Sequence, residues 1–246
     1  MGNVLVCLGF PDQALVRSNA AIAEARRLAH RPSLAASLVY SARILSLLRD
    51  NGALKQRSDE LIAVTTEGGF PHWGAIGAIY QGWVKVRNGS VTQGMSLLRS
   101  GLRAFGDTGA ENWMTHHVAL LGLACEIAGQ VDEGLALFDD ALQMMERTGE
   151  RWLEAEVNRH KGRLLLRQGR PESAEELYCK ALKIAVAQEA KLWELRATVS
   201  LARLWCDQER RREARDLLAP VYGWFTEGFD TADLKDAKAL LEELAA

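Results

Sequence analysis

Arg159, Arg163 and Arg167 follow one another at intervals of four, so on a helix their side chains form one stripe. A row of planar, permanently charged guanidinium forks suits carboxylate or phosphate groups. The chain as a whole is not basic: 30 Lys and Arg face 32 Asp and Glu, a formal net charge of −2. The stripe therefore points to recognition of an acidic segment or a phosphorylated ligand. The plainer alternative is a solvated face, with Glu154 and Glu156 pairing part of the charge.

Other reactive side chains carry less. His116 and His117 are adjacent, so on a helix they diverge by about 100°. His30, His72 and His160 lie in other parts of the chain. No His-x-x-x-His or Glu-x-x-His pair exists to hold a metal. There is no G-x-S-x-G elbow, no G-x-x-x-x-G-K-[ST] loop and no evident nucleophile beside a base. Cys7, Cys125, Cys179 and Cys206 are far apart without C-x-x-C spacing, which fits small apolar residues in a reducing cytosol. No catalysis, cofactor or metal is expected.

The elements that position these groups follow from composition and repetition. With 246 residues, 48% of them hydrophobic and 25% charged, the chain can bury a core as one large domain or two small ones. Five prolines and few β-branched runs favour helices. The near-neutral charge argues against nucleic acid as a partner. No apolar stretch approaches the ~20 residues of a membrane helix; the run Val118–Cys125 stops at Glu126. The N-terminus has no basic signal-peptide region, and Val6 stands where a myristoylation motif wants Ser or Thr. A cytoplasmic protein is expected.

In steps of forty, one column holds Gly2, Ala42, Gly82, Gly122, Gly162 and Ala202. Others hold Gly9, Arg49, Gly89, Gly129, Gly169, Glu209 and Ala14, Leu54, Gly94, Gly134, Ala174, Ala214. Bulky side chains keep step at Leu98, Phe138, Tyr178 and Leu218. Within one unit, Leu153, Val157, Leu164 and Leu165 recur at helical spacing until Gln168-Gly-Arg-Pro171 breaks the run. A second apolar face then follows at Ala174, Leu177, Tyr178, Ala181, Leu182 and Ala185. Each unit is a helical hairpin, and the small columns mark close helix approaches. A lone hairpin cannot bury its apolar face, so neighbours must stack. Phe70-Pro71, Thr108-Gly109 and Thr148-Gly149 have the character of joints between units.

The run Gly169, Ala174, Tyr178, Ala181, Leu182, its counterpart Gly129, Gly134, Phe138, Ala141, Leu142, and the pair Leu121-Gly122 resemble the tetratricopeptide repeat. This chain departs from that family in its forty-residue period and missing closing proline. The resemblance implies an all-α, right-handed superhelical solenoid of about six hairpins over residues 1–230, the first one truncated. A capping helix over 231–246 would follow, with Leu234, Ala237, Leu241 and Leu244 inward. The chain also resembles the C-terminal helical region of large bacterial regulators with an ATPase module, often preceded by an adenylate or guanylate cyclase domain. Gly9-Phe-Pro-Asp-Gln-Ala14, Thr148-Gly-Glu-Arg-Trp152, the run Trp193–Trp205 and the run Ala219–Asp230 carry that likeness. The forty-residue ruler puts Gly2 in mid-helix, so the chain is expected to be a fragment or a secondary start.

In the repeat family the first helix of each hairpin lines a concave face that meets the bound peptide. Carried over by register, those positions are Arg43, Trp83, Arg87, His116, Glu126, Glu156, Arg159, Arg163, Arg167, Arg196 and Arg203. Trp73, Trp113 and Trp193 share a column, with Trp152 one place away, and such periodicity marks packing between hairpins. The expected function is a non-catalytic interaction and regulatory module of a signalling ATPase or cyclase. Its partner would be a protein, an acidic peptide segment or the parent's own upstream domains, and the truncated first hairpin would allow homo-oligomers. The alternative is a sensor of a small-molecule effector.

Overall fold

The computed structural model describes residues 2–245, and among them every regular element is a helix. In chain order these are α1 (Gly2–Cys7), α2 (Pro11–Arg27), α3 (Arg31–Leu47), α4 (Asn51–Gly68), α5 (Pro71–Arg87), α6 (Val91–Asp107) and α7 (Met114–Ile127). Then come α8 (Val131–Thr148), α9 (Glu154–Arg167), α10 (Pro171–Ala187), α11 (Lys191–Asp207), α12 (Arg211–Gly223) and α13 (Ala232–Ala245). They alternate as first and second helices of stacked hairpins, a solenoid. The second helices begin at Pro11, Asn51, Val91, Val131, Pro171 and Arg211, forty residues apart.

The turns show a finer period. Left-handed backbone recurs every twenty residues, at Gly9, Ala29, Arg49, Gly69, Gly89, Gly109, Gly129, Gly149, Gly169, Glu189 and Glu209. At Gly169 the reason is visible. Its N–H bonds the carbonyl of Leu166 at 3.0 Å and the next N–H, of Arg170, bonds that of Leu165 at 3.1 Å. That satisfies two orphan carbonyls of α9 and requires a positive φ between them. Pro171 then opens α10, its missing N–H costing nothing in a first turn. Elsewhere a side chain makes the start: the Asp50 carboxylate accepts from the N–H of Ala53 at 2.9 Å, capping α4.

The chain forms two compact units, one built mainly from Asp12–Leu137, the other joining Val4–Pro11 to the chain from Phe138 onward. In the first, α5 and α6 nearly touch backbone to backbone. A Cβ on Gly82 would lie 2.7 Å from the Leu98 nitrogen, and one on Gly94 would lie 2.6 Å from the Gly82 oxygen. The small-residue columns are these contact points, with Leu98, Ile79, Tyr80 and Phe105 filling the space beside them. In the second unit, Gly162 faces the ring of Tyr178 in the same way. Trp193 is fully buried there and donates its indole N–H to the carbonyl of Trp152 at 3.0 Å. At the far end α13 packs on α11 and α12, burying Leu234, Ala237, Leu240 and Leu244. Leu241, expected inward, is only partly covered, and Leu240 takes the deeper place.

Candidate partner-binding face

The first helices of the second unit bring Glu156, Arg159 and Arg196 together. Glu156 is 3% exposed and receives two bonds from Arg159, Nε to Oε1 at 2.6 Å and Nη2 to Oε2 at 3.0 Å. Arg196 reaches across from α11 to the same Oε2 at 2.9 Å. Its other edge grips both oxygens of Asp233 on α13, at 2.9 and 2.7 Å. Burial acts to raise the Glu156 pKa, but Arg159 and Arg196 outweigh it and hold the carboxyl well below its usual range. Burial likewise acts to lower Arg196, and Asp233 and Glu156 more than reverse that. His160 completes the group, its Nε2 lying 3.0 Å from Arg159 Nη2. Burial, then the neighbouring Arg159, brings its pKa down to about 3, so the ring is neutral and accepts that bond.

A segment of the chain itself lies on this face. Cys7, half-buried, lies within the fields of Arg196 and Glu156, and burial pushes its thiol pKa up to about 12. Three residues on, the ring of Phe10 tilts against Trp224 with centroids 5.7 Å apart. Lys191 places its ammonium over the same Trp224 ring, 5.3 Å from its centroid.

In the first unit Arg43 is 1% exposed, its guanidinium stacked 3.7 Å over the ring of Trp113. Tyr80, Thr115, His116 and His117 are buried nearby, with Tyr80 and His117 centroids 6.2 Å apart. Among the described residues, Arg43 Nε and Nη1, Thr115 Oγ1 and both ring nitrogens of His117 have no hydrogen-bond partner. Burial first, then the Arg43 charge, takes His117 down to about 3. His116 is driven well below its usual value by burial, His117 and Arg43. Glu126 is also buried, and Trp83 lies under the exposed Arg87, whose guanidinium carbon is 5.8 Å from its ring centre.

The arginine stripe of α9 is thus graded rather than uniform: Arg159 is buried, Arg163 half-buried and Arg167 exposed. Arg203 is exposed on α11. The basic character expected of Arg159 and Arg196 is cancelled locally by Glu156 and Asp233. Asp233, Cys7 and His160 were not legible as parts of this group. Asp233 looks like an ordinary acidic residue in a helix first turn, and nothing local ties it to an arginine 37 positions earlier. Among the described residues no group of His, Cys, Asp and Glu could hold a metal ion, and no helix is long and apolar enough to cross a membrane.

This arrangement defines a tetratricopeptide-like helical repeat solenoid. Residues 114–187 match the tetratricopeptide repeat family. Among solved structures, BtubC (BKLC) from P. vanneervenii is similar at 14% identity over 96% of this chain and 89% of that one, with a TM-score of 0.58. A Rap protein complexed with competence and sporulation factor is similar at 12% identity over 99% and 72%, with a TM-score of 0.69. A signal transduction ATPase with a tetratricopeptide repeat sensor, from Pyrococcus horikoshii, is similar at 11% identity over 99% of this chain but 37% of that one, at 0.54. At such identities the likeness is one of fold. No curated protein matches the chain.

Proposed function

We propose that this chain is a non-catalytic protein-interaction domain whose concave, first-helix face holds a partner segment. One observation carries the reading: the second unit already packs a stretch of polypeptide, Val4–Pro11, with Gly9 close against Lys191 of α11 and Phe10 against Trp224 just beyond α12. Arg163, Arg167 and Arg203 surround that face with positive charge and favour acidic residues in the partner. The domain serves as the sensing or regulatory part of a larger signalling ATPase or nucleotide cyclase. The fold likeness to an ATPase that carries a tetratricopeptide repeat sensor supports that setting. The test is capture of partners on the immobilised chain, identified by mass spectrometry, then repeated with Arg163→Glu and Arg203→Glu. Binding of the authentic partner should fall by about tenfold, or about 1.4 kcal/mol. Unchanged affinity rejects the face.

A second reading, a small-molecule effector sensor, draws on the polar interior of the first unit. Unmet donors around Arg43, each costing roughly 1–3 kcal/mol, favour a small carboxylate or phosphate as their complement. Thermal-shift titrations with such anions that leave the melting temperature unmoved remove this reading.

A further inference from the structure

Arg159 and Arg196 enter the interior of the second unit with carboxylates to meet them, Glu156 for both and Asp233 for Arg196. Arg43, still more deeply buried in the first unit, meets rings instead. Its guanidinium carbon lies 3.7 Å from the centre of Trp113 and 5.6 Å from that of Tyr40, and it donates to the Tyr80 hydroxyl. The charged and titratable groups acting on Tyr80, His116 and His117 are Arg43, His72 and the paired histidines themselves, with no carboxylate among them. Glu126, the acidic residue of α7, is nine residues beyond His117, roughly 13 Å along the helix axis. The local field is therefore positive throughout.

Burying a charge without a counter-charge is among the costliest arrangements a fold can adopt. Water satisfies a donor but brings no charge, whereas an anion does both. Trp113 covers a flat face of the guanidinium, so the unmet N–H groups, on Nε and Nη1, lie in its plane and offer their edge to an acceptor. His117 adds to them: its ring is neutral and carries one N–H, and among the described residues neither nitrogen has a partner. Enclosure sets the size. Arg43, Tyr80 and His117 are all buried, so the occupant has few atoms. A phosphate brings more charge than one guanidinium balances and more oxygens than these donors serve.

We propose that Arg43, with Tyr80 and His117 beside it, forms a site inside the first unit for a small monovalent anion, the size of chloride or formate. The proposal rests on the effector reading above and narrows it to one charge and a few atoms. The ion enters past Tyr40, the exposed ring three residues before Arg43 on the same face of α3. Arg43, Tyr80 and His117 stand on α3, α5 and α7, so an ion held among them ties three first helices together. Anion concentration then sets how firmly these hairpins are stacked.

The probes are chloride and formate, each exchanged for gluconate at constant ionic strength, with the full chain followed by thermal unfolding. Sulfate and phosphate are run in the same way. The midpoint of the unmodified chain should rise by about 4 °C for each tenfold increase in chloride or formate above the dissociation constant. Arg43→Met removes the charge and should flatten that slope; His117→Phe keeps a ring and should weaken it. The slope is read within each variant, so a loss of stability alone does not imitate the result. Should Arg43→Met fail to fold, His117→Phe and Tyr80→Phe carry the expectation of a weakened slope. Crystals soaked in bromide should show an anomalous peak beside the Arg43 guanidinium. Equal slopes in the variants and the unmodified chain, or bromide bound only elsewhere, overturn the site. An Arg43-dependent rise with sulfate or phosphate but none with chloride or formate overturns the size and charge assigned here and leaves the effector reading standing. No Arg43-dependent response to any of these anions removes both.

Discussion

Arg196 holds Asp233 by two parallel hydrogen bonds, 2.9 and 2.7 Å, tying α11 to the helix that closes the solenoid. Both side chains are nearly buried. Removing one member of such a pair strands the other's charge, at a cost of about 3–5 kcal/mol. Glu156 still faces Arg196 when Asp233 is lost, so Asp233→Ala should cost about 3 kcal/mol, the lower end. Urea unfolding should show a lower midpoint for Asp233→Ala, with Asp233→Asn between it and the parent chain.

The α5–α6 contact sets the sign of a glycine substitution. Alanine gains about 1 kcal/mol over glycine in helix propensity, whereas overpacking costs about 1–3 kcal/mol. At Gly94 the atoms in the way include the Gly82 oxygen and the Val86 nitrogen, backbone atoms that cannot rotate aside, as well as a Val86 methyl. Gly94→Ala should therefore destabilise. Gly74, whose Cβ would find Thr65 at an ordinary 3.5 Å, should gain on the same change. Opposite shifts in thermal midpoint for the two variants check the argument.

The twenty-residue turn rhythm offers a gain in stability. Glu209 and Ala29 adopt φ of 63° and 48° at places where sister turns carry glycine. An L side chain in that region costs about 1–2 kcal/mol, against about 0.5–1 kcal/mol for the extra freedom of an unfolded glycine. Glu209→Gly and Ala29→Gly should each raise the melting temperature by about 2 °C. A fall in differential scanning calorimetry would contradict the assignment of strain.

Acid should unfold the chain through its buried histidines. His117 and His160 stay neutral in the fold, with pKa values brought from 6.5 to about 3. Between those values the unfolded chain binds protons that the native one refuses. Their contribution is therefore full above pH 6.5 and is lost as pH falls toward 3. Each can steepen the loss by up to about 1.4 kcal/mol per pH unit. Glu156, held below its usual range, adds to the same trend below about 4.5. His117→Phe should flatten the dependence of the urea midpoint on pH between 6 and 4; an unaltered slope would show that His117 protonates freely in the fold.

The sequence by itself determined the periodic part of this protein. Glycine at 82, 94 and 162 and bulky residues at 98, 138 and 178 recur because helix packing is governed by side-chain size at fixed intervals, and a fixed interval is visible along a chain. The joints at Phe70-Pro71, Thr108-Gly109 and Thr148-Gly149 were legible for the same reason, since turn chemistry is local. The twenty-residue alternation was half hidden, because Ala29, Arg49, Glu189 and Glu209 take a backbone state that their residue types do not announce. Only the tertiary structure decided which charges meet. Register placed Arg159 and Arg196 on first helices and Glu156 one turn from Arg159, but the bonds from Arg196 to Glu156 and Asp233 depend on how α9, α11 and α13 are stacked. The seating of Val4–Pro11 against Trp224, more than two hundred residues away in the chain, likewise had no local signature. Contacts of that kind join residues far apart in the chain, and no single stretch of sequence encodes them.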